Sequence, residues 1–113
     1  MQPVIETEPI VDTRGDDWIW PLQFRDEADA AVDLTGCRFD GAAIRWRDGE
    51  LPLSVANGRI AVDAAAGAVT ITVARADTAP VPDGQRARAV LPIVDTLGRK
   101  STVLIVPIKV IAP

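Results

Sequence analysis

Histidine and tyrosine are absent from this 113-residue chain, cysteine occurs once, and phenylalanine only twice. Without histidine, the commonest proton shuttle near neutral pH and the commonest metal ligand are both missing. A zinc site would need a Cys/His set that the chain does not hold. The single cysteine, Cys37, excludes an intrachain disulfide, so stability has to come from packing. It reads as a small buried hydrophobe on a strand. Ser54 and Ser101 lack a histidine or an evident lysine partner, and neither lies in a strand-turn-helix elbow. There is no glycine-rich phosphate loop: the eight glycines are dispersed singly at turns. These absences lead to the expectation of a chain that is not an enzyme and holds no metal and no cofactor.

Long apolar runs are missing as well. The longest, residues 103–108, is interrupted by Pro107 and followed by Lys109, well short of the roughly 18 to 20 residues of a membrane span. The opening MQPVIETEP has no basic start followed by an apolar stretch, so no export signal can be read there. A soluble product without membrane contact is expected. Positive charge is also in deficit, with 12 Lys and Arg against 16 Asp and Glu and a net charge of −4. That balance argues against a general nucleic-acid binder, whose affinity comes from cations neutralising phosphates.

What the chain has in quantity is Val, Ile, Leu and Ala, within a hydrophobic fraction of 48%. Val and Ile are stiff at χ1 and suit a pleated surface, so the composition leans toward β structure. The length suits one domain, which at this size buries roughly 60 to 70% of the surface its unfolded chain exposes. Residues 1–13 carry two prolines and no clear period, and read as an extended N-terminal arm or short edge strand before a single domain over 14–113.

From Asp17 the pattern sharpens. Trp18, Trp20, Leu22 and Phe24 share one face of a strand, with Pro21, Gln23 and Arg25 on the other. Pro21 removes a backbone donor, which predicts an edge position or a bulge. Further on, Cys37 and Phe39 have one parity and Ala42, Ile44 and Trp46 the other. A bulge at Asp40-Gly41 brings both sets to one face. Turns are predicted at Asp48-Gly49, Asn57-Gly58, Asp83-Gly84 and 95–100, and a single helical turn within 74–81. The alanines at 64–66 are stopped as a helix by Gly67 and the threonines that follow. About seven strands with turns every 8 to 12 residues or so is the pattern of a sandwich or barrel, and no fixed-period repeat occurs.

Three features invite function. Asp16, Asp17, Asp26, Glu27 and Asp29 are candidates for a calcium site or a carboxylate pair, set against a solvated turn; the spacing is not that of an EF-hand. Arg14-Gly15-Asp16 spells a tripeptide read by adhesion receptors, yet it abuts a strand start where Gly and Asp are ordinary turn residues. Trp18, Trp20 and Trp46 are candidates for a sugar-stacking platform or an interface anchor, although the alternation of Trp18 and Trp20 with Leu22 and Phe24 favours the core.

The order of motifs adds a resemblance. Gly15-Asp16-Asp17-Trp18, the strand ending Leu22-Gln23-Phe24, Arg25-Asp26, Val32-Asp33-Leu34-Thr35-Gly36 and Ile44-Arg45-Trp46 come first, followed by Asn57-Gly58-Arg59-Ile60, Ala66-Gly67-Ala68-Val69-Thr70-Ile71 and the closing turn 95–98. Together they resemble the N-terminal immunoglobulin-like module of tailed-phage baseplate upper proteins and related small virion proteins, over residues 14–111. The resemblance implies an all-β immunoglobulin-like antiparallel sandwich of about seven strands. It implies a virion location and protein-protein contacts with other virion proteins, in a homo-oligomer or symmetric assembly.

Two departures from that pattern stand out. No aromatic follows the turn before the penultimate strand, where Gln85-Arg86-Ala87-Arg88-Ala89-Val90 runs instead. The sequence also stops at Pro113 with no domain for gripping a host, which shifts the expectation from receptor binding to a small adaptor, a tail or baseplate module, or a head decoration. Residues 1–13 and the proline-bounded loop 76–84 are the expected contact segments, and removal of residues 1–12 is expected to leave the domain folded.

Overall fold

In the computed structural model the described residues are Val4–Ile5 and 10–112, with side chains described at all of these except 4, 5, 85 and 102–107. They form nine strands: β1 Val4–Ile5, β2 Ile10–Thr13, β3 Trp18–Arg25, β4 Ala43–Trp46, β5 Gly49–Pro52, β6 Ile60–Asp63, β7 Ala68–Val73, β8 Gly84–Val94 and β9 Lys100–Ile111. A single 3-10 turn, Arg75–Asp77, lies between β7 and β8, within the stretch predicted to hold one.

Two sheets pack face to face, ordered β1-β3-β7-β6 and β2-β9-β8-β4-β5. With β1 and β2 read as two halves of one split first strand, these are the A-B-E-D and A-G-F-C-C′ orders of the immunoglobulin sandwich. The seven strands predicted after residue 14 are β3 to β9. The total is nine because the segment expected as an extended arm or short edge strand supplies two edge strands. β1 pairs with the end of β3 through Val4 and Ile5, and β2 pairs with β9 from Ile10 opposite Ile108 to Thr13 opposite Ile111. The β2–β9 pairing is parallel, a correction to the purely antiparallel expectation. Strands of two and four residues are too short to print an alternation, which is why this segment reads as periodless.

The core follows from parity. In β3 the buried positions are Trp18, Trp20, Leu22 and Phe24; in β7 they are Val69, Ile71 and Val73; in β8, Ala87, Ala89, Leu91 and Ile93, with Pro92 and Val94 also buried past the register shift at Leu91/Pro92. Two tryptophans on one strand fit because the opposite sheet offers Ala87 and Ala89 to the same buried cluster, large against small. The parity change at Asp40-Gly41 occurs as predicted: Phe39, Ala42 and Ile44 are all buried, although the device is a turn with Gly41 at φ +86° instead of a bulge within a strand.

Two local departures from the predicted pattern have simple causes. Pro21 sits in a strand with neighbours on both sides, but the Phe24 amide donates to the Gly67 carbonyl at 2.8 Å. By alternation, the Pro21 nitrogen then points the other way, where the two residues of β1 do not reach. The β4–β5 turn falls at Arg47-Asp48, one residue earlier than predicted, because Gly49 pairs with Trp46. Its lack of a side chain admits the indole: a Cβ there would lie 2.9 Å from Trp46 Nε1.

The outward positions are fixed by the same parity. On the four-stranded sheet they are Ile19, Pro21, Gln23 and Arg25 of β3, Ala68, Thr70 and Thr72 of β7, and Ala61 and Asp63 of β6. On the five-stranded sheet they include Val11 of β2, Lys109 and Ile111 of β9, Arg86, Arg88 and Val90 of β8, Arg45 of β4, and Glu50 and Pro52 of β5.

Candidate interaction surface

Of the three tryptophans considered as a platform or interface anchor, the fold removes two. Trp18 is 0% and Trp20 6% exposed, with ring centroids 5.8 Å apart and planes at 21°. Their polar edges cross the sandwich: Trp18 Nε1 donates to the Thr13 carbonyl at 2.9 Å, and Trp20 Nε1 to Asp12 Oδ2 at 2.6 Å. β3 belongs to one sheet and β2 to the other, so the two indoles tie the sheets together as well as filling the core. Trp46 alone remains half-buried, packed against the edge of the core. The structure does not bring it together with the other two as a stacking platform.

The Arg14-Gly15-Asp16 tripeptide is fastened to the β7–β8 connection. Arg14 is ion-paired with Asp83, and the Gly15 amide donates to Thr78 Oγ1 at 2.8 Å. The Thr78 hydroxyl, fully buried, donates in turn to the Arg75 carbonyl at 2.9 Å, and the Arg75 amide donates to Asp17 Oδ1 at 2.7 Å. Arg14 and Gly15 are thereby committed to the fold and not displayed on an open loop. Thr78 does here what a buried hydroxyl does at a sandwich corner, satisfying one donor and one acceptor at once.

The acidic residues weighed as a calcium or hydrolase set do not meet. Asp16 and Asp17 precede β3 and Asp26, Glu27 and Asp29 follow it, at opposite ends of an eight-residue strand. Asp26 Oδ1 accepts from the amides of Ala28 and Ala30, at 2.9 and 3.0 Å, which makes it a turn former. Among the described residues no group of three or more His, Cys, Asp or Glu is arranged to hold a metal ion. Asp33 and Asp95 also cap turns. The Thr35 hydroxyl and amide hold the Asp33 carboxyl below its usual range, and the amide of Arg99 does the same for Asp95.

Cys37 lines a surface cleft of about 490 Å³ with Leu34, Phe39, Val55, Val62 and Ala64, between the chain leading into β4 and the β6 edge. Burial pushes its thiol up, and the charges of Asp95 and Asp33 add to the shift. A thiol held protonated is a weak nucleophile. A second concavity, also about 490 Å³, lies at the end of the five-stranded sheet between Trp46, Arg47, Asp48, Pro82 and Arg86.

The residues that sequence reasoning passed over are on this sheet's outer face. The alternation of Arg86 and Arg88 with Ala87 and Ala89 marks them as exposed. Only the β4-β8-β9 pairing brings Arg45 opposite Arg88 and puts Lys109 on the same surface.

No protein-family model and no curated protein matches this chain. Among solved structures, it is similar to part of the endo-β-1,4-mannanase from Thermotoga petrophila, with a TM-score of 0.55 at 12% identity. That match covers 99% of this chain and 20% of the mannanase, so the chain spans a fifth of that protein's length. Bovine butyrophilin aligns over 99% of this chain and 55% of its own, with a TM-score of 0.49 at 19% identity. At such identity the mannanase likeness shows the fold alone.

Proposed function

We propose that this chain is a non-enzymatic, immunoglobulin-like module of a tailed-bacteriophage or phage-like particle, associated with the tail or baseplate and acting through protein-protein contacts in a symmetric assembly. One observation carries the reading. The order of short motifs over residues 14–111 resembles that of small virion modules, and the fold which that resemblance implies is the one formed by β3 to β9. A sandwich of this type leaves its outer faces and edges free for neighbours once the core is filled, and particle proteins assemble through repeated contacts of that kind. Arg14, Gly15 and two of the three tryptophans are taken up by the fold, so contact falls to the sheet faces and edges.

Quantitative mass spectrometry of purified particles, calibrated against the major capsid protein, tests the proposal. A small fraction of the capsid copy number supports a tail or baseplate position. Near-equal numbers make the chain a head decoration. Absence from particles overturns the reading.

A further inference from the structure

Of the chain's 12 basic residues, Arg14, Arg25, Arg38, Arg45, Arg59 and Arg99 are in ion pairs. Among the described residues, Arg47, Arg75, Arg86, Arg88, Lys100 and Lys109 have no ion pair. In a chain with excess acid, cations without a carboxylate call for a reason. Three of these, Arg86, Arg88 and Lys109, stand on one surface, the outer face of the five-stranded sheet, and Arg47 opens the turn at the end of β4 on the same sheet.

The register tightens the cluster. Arg88 lies directly opposite Arg45 across β4 and β8. Ala87 lies opposite Ile108 and Gly84 opposite Val110, and across the register shift between them Arg86 and Lys109 are both exposed on the outer side. Like charges placed opposite one another in a sheet are destabilising, so this arrangement does not serve the fold. Among the described residues, Glu50, 3.4 Å from Arg45, is the one acid that offsets it on the face itself. Arg86 also lines the concavity at the end of the sheet, together with Trp46, Arg47, Pro82 and a single acid, Asp48. Guanidinium groups beside an indole and a proline make a setting for carboxylates carried on apolar stems, with the fork of each arginine free for bidentate hydrogen bonds. The net charge of −4 opposes a nucleic acid at long range, whereas a short acidic segment meets mainly the local field.

We propose that this face, from Lys109 through Arg86, Arg88 and Arg45 to the concavity at Trp46, docks an acidic polypeptide segment of a partner protein. Charge and shape define the surface, and it does not depend on whether the partner belongs to a particle.

The test is fluorescence anisotropy of labelled poly-L-glutamate titrated with the full chain at low salt. Binding that weakens steeply as salt rises is expected. The double substitution Arg86→Gln with Arg88→Gln weakens it about tenfold or more. Lys109→Gln alone weakens it less, and Arg75→Gln with Lys100→Gln, which removes as much charge elsewhere, leaves it nearly unchanged. All these side chains are exposed, so melting curves of the variants stay close to the parent. Absence of binding by the parent overturns the proposal, and so does equal loss in the two double variants, which would reduce the effect to net charge. Oligothymidylate binding as tightly as poly-L-glutamate would also overturn it, in favour of a nucleic-acid surface.

Discussion

Among the described residues, the outward side chains across the four-stranded sheet are Ile19, Pro21, Gln23, Thr70, Thr72, Ala61 and Ala68, with charge only at one end, at Arg25 and Asp63; across the five-stranded sheet they include Arg45, Arg86, Arg88 and Lys109. Both sheets obey the same alternation and bury equivalent inner faces in one core. The inner parity is dictated by packing and is much the same in any sandwich of this kind. The outer parity is free of that demand, so information about partners resides there. A largely neutral face with an exposed Ile19 (63%), set against a basic cluster in which only Arg45 has an ion pair, therefore separates one surface that tolerates solvent from one arranged for a charged neighbour.

The comparison depends on the two sheets being locked together, and the largest effect should come from breaking that lock. Trp20→Ala empties a large volume between the sheets and removes the bond to Asp12; urea unfolding should show a loss of about 3–5 kcal/mol. Asp12→Ala leaves the Trp20 indole N–H without its acceptor in a part-buried site and should cost about 1–3 kcal/mol, with Asp12→Asn, which keeps an oxygen in place, costing less. By the same argument, removal of residues 1–12 lowers the melting temperature. Of the two expectations for this segment, an extended arm or a short edge strand, the structure shows the second, as a pair of edge strands.

Arg88→Thr copies the chemistry of the neutral face onto the basic one and sharpens the contrast directly. Relief of the Arg45–Arg88 repulsion should leave stability unchanged or raise it by less than about 1 kcal/mol, while poly-L-glutamate binding falls. The smallest effect concerns the turn carboxylates. The pKa values of Asp33 and Asp95 are depressed in the folded chain, so their contribution is present above the ordinary carboxylate value and is lost as pH falls through the lower folded values. A carboxyl-detected NMR titration should place both midpoints below 3.8, the reference for an unperturbed aspartate.

Much of this architecture was legible in the residues. The strict alternation of Trp18, Trp20, Leu22 and Phe24 against Pro21 and Gln23 shows in β3 as alternating buried and less buried positions, and the parity change at Asp40-Gly41 falls where the sequence predicts it. The destination of the indole N–H groups was not legible. Their acceptors, Asp12 and Thr13, lie in a four-residue strand that has no pattern of its own and is positioned only by pairing with β9. The Arg45–Arg88 apposition was equally hidden, because 43 positions separate the two residues in the chain and only the sheet order makes them neighbours. Local chemistry predicts which way a side chain points, whereas which strand it points from beside another is a property of the whole topology.

The contrast between the faces is tested most directly by following the backbone amide resonances of the labelled chain during a titration with poly-L-glutamate. Shifts concentrated in β4, β8 and β9 and around Trp46 are expected, with the amides of β3, β6 and β7 unmoved. Shifts spread evenly over both sheets, or centred on Ile19 and Thr72, would contradict it.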